Sequence, residues 1–67
     1  MNITMHVSLV SNEQRSKLIN LMQKELIAIG YEEQAEIDEI IANGLASRLC
    51  DLEELIPISE IKKIISA

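Results

Sequence analysis

The first stretch of the chain alternates between apolar and polar side chains. Within residues 3–9 the apolar members are Ile3, Met5, Val7 and Leu9, and the polar members are Thr4, His6 and Ser8. An alternation of period two is typical of a β-strand with one buried face. The pattern therefore predicts one N-terminal β-strand.

A three-and-four spacing of apolar residues follows this alternation. The stripe consists of Leu18, Leu21, Met22, Leu26 and Ile29. Such a stripe predicts an amphipathic helix over about residues 12–29. Ser11 or Asn12 offers the N-cap oxygen, Gln14 follows Ser11 at the spacing of a capping box, and Gly30 can end the helix in a left-handed conformation.

A second apolar stripe predicts a second helix that begins near Glu32 and runs to Pro57. Its members are Ile37, Ile40, Ile41, Leu45, Leu49, Leu52 and Ile56. The pair Asn43-Gly44 interrupts this stripe and has two interpretations. Either the helix ends there and a short helix starts after Ser47, or Gly44 lets a neighbouring helix approach closely. The pattern favours one bent or interrupted helix, which the proline ends because it has no amide hydrogen.

These elements predict a fold that is mainly α with one N-terminal β-strand. A lone strand leaves its backbone donors and acceptors unpaired, and pairing with the same strand of a second copy would satisfy them. We therefore expect an intertwined homodimer, with helices from both subunits around the core. Two alternatives stay open. The tail around residues 61–65 could pair with residues 3–9 in a monomeric α+β domain, or it could form a short helix in a small helical bundle.

The order of strand, helix, Gly-containing turn and helix from Ile3 to Leu49 resembles the ribbon-helix-helix family of Arc- and MetJ-type repressors and bacterial antitoxins. The resemblance implies a two-stranded ribbon in the major groove of double-stranded DNA, with outward side chains that read base edges. The DNA contacts it implies on this sequence are Asn2, Thr4, His6 and Ser8 on the ribbon, and Arg15 and Lys17 on the phosphates. The family also places a phosphate at the start of the second helix, where this chain has Glu32 and Glu33.

The net charge of -5 is unevenly distributed along the 67 residues. Residues 1–30 carry three bases and two acids, whereas residues 31–67 carry three bases and nine acids. An acidic half favours a basic protein partner. We therefore predict a ribbon-helix-helix-like dimerisation and DNA-binding domain over residues 1–50 and an acidic, apolar partner-binding segment over residues 51–67. The predicted contacts of that segment are Leu52, Glu53, Glu54, Leu55, Ile56, Ile61 and Ile64.

Two functions are compatible with these features. The first is a small transcriptional repressor, the antitoxin of a toxin–antitoxin pair, whose acidic segment covers a basic toxin. The alternative is a non-enzymatic protein-binding adaptor or inhibitor, of the kind that phages encode, which uses its acidic helical face on a protein target. In both cases DNA or protein is the partner, and a membrane is not.

The sequence predicts neither an enzyme nor a cofactor site. With one His and one Cys there is no zinc cluster, no set of acid, base and nucleophile stands out, and no Gly-rich phosphate loop is present. Cys50, Met5 and Met22 are expected to pack in the core. The chain has no apolar run of about 18 residues and no basic segment before an apolar one, so we expect neither a membrane span nor a signal peptide. The lone thiol favours a cytoplasmic protein.

Overall fold

The computed structural model describes residues 3–66, and its regular elements are all helical. In chain order they are an N-terminal 3₁₀ helix (Val7–Leu9), α1 (Asn12–Ala28), α2 (Gln34–Leu45), a central 3₁₀ helix (Leu49–Glu54) and α3 (Ile58–Ser66). Residues 3–66 contain no β-strand, so the predicted fold class, with its N-terminal strand and ribbon, is wrong. The chain instead forms a small all-helical fold.

The segment predicted as a strand ends in a 3₁₀ helix. Val7 and Val10 are buried at a spacing of three, whereas Leu9 is 71% exposed. A 3₁₀ helix has three residues per turn, so positions i and i+3 lie on the same side. The imidazole Nδ1 of His6 accepts a hydrogen bond from the Ser8 amide at 3.1 Å and caps this helix. The polar residues at 6 and 8 therefore belong to a cap rather than to the outer face of a strand.

The backbone before the N-terminal 3₁₀ helix pairs within the same chain. The pairing bonds run from the Val7 amide to the Ser47 carbonyl (2.9 Å), from the Leu49 amide to the Met5 carbonyl (2.9 Å) and from the Cys50 amide to the Ile3 carbonyl (2.7 Å). The two segments are antiparallel but form a single bridge, between His6 and Arg48. Because these bonds satisfy backbone groups that a second copy was expected to satisfy, the ribbon no longer provides a reason for a homodimer.

Helix α1 begins and ends as the sequence predicts. Ser11 is the N-cap: its hydroxyl accepts from the Gln14 amide at 3.1 Å, and the Gln14 Oε1 accepts from the Ser11 amide at 3.0 Å. At the other end Gly30 has a φ of 114°. This conformation lets the Tyr31 amide reach the Leu26 carbonyl at 3.0 Å, as in a Schellman motif. Both helix signals are therefore confirmed.

Helix α2 ends at Leu45, so the favoured prediction of one bent or interrupted helix up to the proline is wrong. The break at Asn43-Gly44 lies in the last turn, and a new helix begins four residues beyond Leu45. Gly44 is also a point of close approach. A Cβ atom placed there would lie 3.0 Å from the Met22 sulfur and 3.2 Å from the Leu52 Cδ2. Both interpretations of the break are therefore correct at once.

Apolar side chains from every element form the core. Its buried members are Val7, Val10, Leu18, Met22, Leu26, Ile37, Ile41, Leu49, Leu52, Ile56, Ile61 and Ile64. The tail is the helical alternative, not a β segment, and its two buried isoleucines belong to the same core as α1. Across residues 3–66, no helix combines the length and the apolar character that crossing a bilayer requires.

Candidate functional site

A groove with a volume of about 270 Å³ opens between α2 and the central 3₁₀ helix. Its apolar lining consists of the buried Met22 and Leu52 and the half-buried Ile40 and Leu55. Its polar lining consists of Asn43, Ser47, Asp51 and Glu54, together with the backbone of Gly44. The groove therefore combines an apolar interior with two exposed carboxylates.

The turn after α2 gives the groove its shape. The chain leaves the helix just after Gly44, and the Ser47 hydroxyl donates to the Gly44 carbonyl at 2.6 Å. The Asp51 Oδ2 accepts from the Arg48 amide at 3.1 Å, at the start of the central 3₁₀ helix. These local bonds fix the turn and the start of the central 3₁₀ helix, and the glycine at position 44 lets Met22 and Leu52 pack closely against the end of α2.

Acidic side chains are frequent in the stretch of chain that forms most of the groove. Residues 31–56 carry eight acids and one base, and all eight carboxylates are exposed. In the described part of the chain the two ion pairs lie elsewhere, between Lys17 and Glu13 and between Lys63 and Glu60. The carboxylates of this stretch therefore produce a negative surface in which Arg48 is the one base, and a basic partner would be attracted to it.

Four of these acids lie on the groove's side of their helices. Asp51 and Glu54 line the groove directly. Glu36 and Glu39 precede Ile40 and Asn43 by four residues, which places them one turn further along the same face of α2. We call Glu36, Glu39, Asp51 and Glu54 the acidic face.

The seven predicted partner contacts fall into different environments. Four of them, Leu52, Ile56, Ile61 and Ile64, are buried in the core. Leu55 is half-buried and lines the groove, Glu54 is exposed at its rim, and Glu53 is exposed away from the lining. The structure thus brings three of the seven, Leu52, Glu54 and Leu55, to one groove.

Sequence reasoning missed the other half of the groove. Met22 and Ile40 read as core positions because each belongs to an apolar stripe, and their exposure to a shared groove depends on how α1, α2 and the central 3₁₀ helix pack. The available signal was the Asn43-Gly44 break, since a helix that ends in the middle of an apolar stripe leaves part of that stripe uncovered.

The predicted DNA contacts that the structure describes lie before and within the N-terminal 3₁₀ helix and on the first turns of α1. Asn2 lies outside the described residues. Thr4, His6 and Ser8 are all exposed, and the His6 ring makes hydrogen-bond contacts within the chain. Its Nε2 lies 3.0 Å from the Ala46 carbonyl and its Nδ1 lies 2.8 Å from the Ser8 hydroxyl oxygen. A ring with its proton on Nε2 satisfies both contacts, because Nε2–H donates and Nδ1 accepts.

The two predicted phosphate contacts lie on the first turns of α1. Arg15 donates to the Ser8 carbonyl and to the Asn12 Oδ1, each at 3.4 Å. Lys17 lies 3.9 Å from Glu13 and is exposed. Arg15 therefore ties the N-terminal 3₁₀ helix to α1, and Lys17 is the less restrained of the two cations.

The remaining chemistry of the described residues is sparse. Across residues 3–66, no three His, Cys, Asp or Glu side chains come together as metal ligands. Cys50 is a half-buried free thiol, Met22 is buried and Met5 is half-buried against the core. A more open groove of about 420 Å³ follows the outside of α1, where its lining comes from Asn20, Gln23, Lys24 and Ile27 on one helix face.

No protein-family model, curated protein or solved structure matches this chain.

Proposed function

We propose that this protein is a non-enzymatic protein-binding adaptor or inhibitor that engages a basic partner through the acidic face. The observation that carries the proposal is the apolar groove with Asp51 and Glu54 in its lining, which lies in a stretch, residues 31–56, of eight exposed acids and one base. Charges of this kind steer a partner of opposite sign and set the orientation of the encounter. An apolar centre inside a polar rim is also the usual arrangement of a protein interface.

A protein partner fits these features better than DNA. Binding to DNA draws most of its affinity from the neutralisation of phosphates by Lys and Arg. This chain has six bases and eleven acids, and the acidic face would repel a phosphate backbone. Transcriptional repression stays a prediction, but the β-ribbon on which it was based is absent from residues 3–66. An antitoxin that covers a basic toxin remains one form of the proposed function.

We also propose that the protein works in the cytosol. Cys50 is the only cysteine of the chain and a half-buried free thiol. A lone thiol of this kind is stable where the environment is reducing. The localisation of a fluorescent fusion would test this proposal.

The test of the function is a direct comparison of a basic peptide with DNA. Fluorescence anisotropy of a labelled Lys/Arg-rich peptide and of a labelled duplex is measured against the full chain at two salt concentrations. We expect binding of the peptide that weakens at high salt, and no binding of the duplex. Binding of the duplex alone would overturn the proposal in favour of the repressor.

A pair of charge-matched variants locates the binding surface. Glu39→Lys with Glu54→Lys reverses two members of the acidic face, whereas Glu32→Lys with Glu33→Lys reverses two exposed acids before α2. Both pairs change the net charge by the same amount. We expect the first pair to weaken peptide binding more than the second. Equal losses would mean that the total charge acts, rather than the acidic face.

A further inference from the structure

We propose that the groove between α2 and the central 3₁₀ helix receives one large apolar side chain from a Lys- or Arg-rich segment of the partner. This proposal rests on the proposed function and names what the partner must present. The volume of about 270 Å³ sets the size of the occupant. A cavity of about 150 Å³ is enough for benzene, and small-molecule sites begin near about 300 Å³. The groove therefore fits one Leu, Met or Phe side chain better than a whole metabolite.

The interior of the groove offers apolar contacts to such a side chain. Met22 and Leu52 form its buried part, and Ile40 and Leu55 are only half-buried, so part of their apolar surface stays in contact with water. An inserted side chain would remove that surface from water, which is favourable in proportion to the area covered. Met22 is unbranched and flexible, so it can adjust to the shape of the inserted group.

The charges at the rim select the segment that carries the anchor. Glu54 and Asp51 flank the apolar interior, and Glu36 and Glu39 extend the negative surface by one turn of α2. One oxygen of Asp51 already accepts from the Arg48 amide, so Glu54 is the less committed carboxylate. Cations on both sides of the anchor would complement this rim. A second copy of the chain would bring its own net charge of -5 and be repelled, so we infer a different, basic partner.

The experiment uses the full chain and two labelled peptides that differ at one position. Both peptides are rich in Lys and Arg. One carries a central Leu and the other a central Ser. We expect the Leu peptide to bind about tenfold or more tightly, the gain typical of burying one such side chain. Both affinities should fall at high salt.

Two surface variants show whether the groove is where the anchor binds. Asn43→Trp places a large ring at the exposed rim of the groove, and Ala42→Trp places the same ring on an exposed neighbour outside the lining. We expect Asn43→Trp to remove the advantage of the Leu peptide and Ala42→Trp to leave it. Circular dichroism checks that both variants fold. If a variant does not fold, the comparison of the Leu and Ser peptides on the unmodified chain still tests whether an apolar anchor is bound.

The outcomes separate the anchor from the proposed function. Equal affinities for the two peptides, with salt-sensitive binding retained, would overturn the anchor and leave the acidic adaptor in place. An advantage of Leu that survives Asn43→Trp would move the anchor to another surface and overturn the assignment to this groove. If neither peptide binds at low salt, the proposed function itself is contradicted, and the anchor with it.

Discussion

The side-chain amide of Gln14 donates to the carbonyl oxygen of Ile65 at 3.2 Å and so joins the start of α1 to the end of α3. The Oε1 atom of the same side chain accepts from the Ser11 amide at 3.0 Å in the capping box. One residue thus satisfies an orphan donor at one helix end and an orphan acceptor at another. Within the described residues, this contact links elements that are about fifty positions apart in the chain.

Replacement of Gln14 should therefore reveal a role beyond capping. Gln14→Glu keeps an acceptor for the Ser11 amide but loses the donor, and it places a negative charge against the C-terminal end of α3, where the helix dipole disfavours it. We expect a loss of about 1–2 kcal/mol in the free energy of unfolding, measured by urea denaturation. An isolated α1 peptide is the control, since Glu is accepted at that capping-box position. Unchanged stability of the full chain would mean that the contact with Ile65 contributes nothing.

Gly44 should not accept a methyl group. Alanine favours a helix by about 1 kcal/mol over glycine, but the added Cβ would lie 3.0 Å from the Met22 sulfur. Overpacking of a core typically costs about 1–3 kcal/mol. We expect Gly44→Ala to destabilise the protein, again by urea denaturation. Ala42→Gly is the matched control at an exposed position of the same helix. It should lower the free energy of unfolding only by the difference in helix propensity between alanine and glycine. A more stable Gly44→Ala variant would show that Met22 moves aside freely.

His6 should contribute to the stability of the fold and not only to a DNA-contacting surface. Its ring caps the N-terminal 3₁₀ helix through Ser8 and reaches the Ala46 carbonyl at 3.0 Å. We expect His6→Ala to lower the free energy of unfolding by about 1–2 kcal/mol, because two hydrogen bonds are lost. Thermal denaturation would measure this. A base-reading histidine would behave differently, since its replacement would change DNA affinity and leave the melting temperature unaltered.

Val7 and Leu9 should respond very differently to truncation. A strand would place both side chains on one buried face. In the 3₁₀ helix Val7 is 0% exposed and Leu9 is 71% exposed. We expect Val7→Ala to lower the free energy of unfolding by about 1–3 kcal/mol and Leu9→Ala to change it by no more than about 0.5 kcal/mol. If urea denaturation showed equal losses in the free energy of unfolding for the two variants, the burial of Val7 and the exposure of Leu9 would be contradicted.

Signals between neighbouring residues determine much of the helical structure. The capping box of Ser11 and Gln14 and the glycine at position 30 define α1 because each acts on backbone groups within a few residues. The acidic character of residues 31–56 is likewise a property of composition. The expectation of a protein partner with basic charge could be formed on that basis, before any tertiary contact was known.

Only the tertiary structure decided what the N-terminal segment does. Alternation over seven residues fits a strand, but a short 3₁₀ helix after an extended stretch has nearly the same pattern. The difference lies in the partner, because residues 3–7 pair with residues 47–50, forty or more positions away. Periodicity carries no information about such a partner.

The candidate groove has the same dependence on distant residues. Ile40 and Leu55 belong to a stripe that the sequence identifies, and whether such side chains are covered depends on where α2 ends and how the next helix returns. Met22 comes from α1 and completes the site from the other side. The sequence by itself determined which residues are apolar, which are charged and where α1 begins and ends, because these are local properties. The packing of three separate elements decided which apolar surface stays open, because a groove exists only between segments that meet in space.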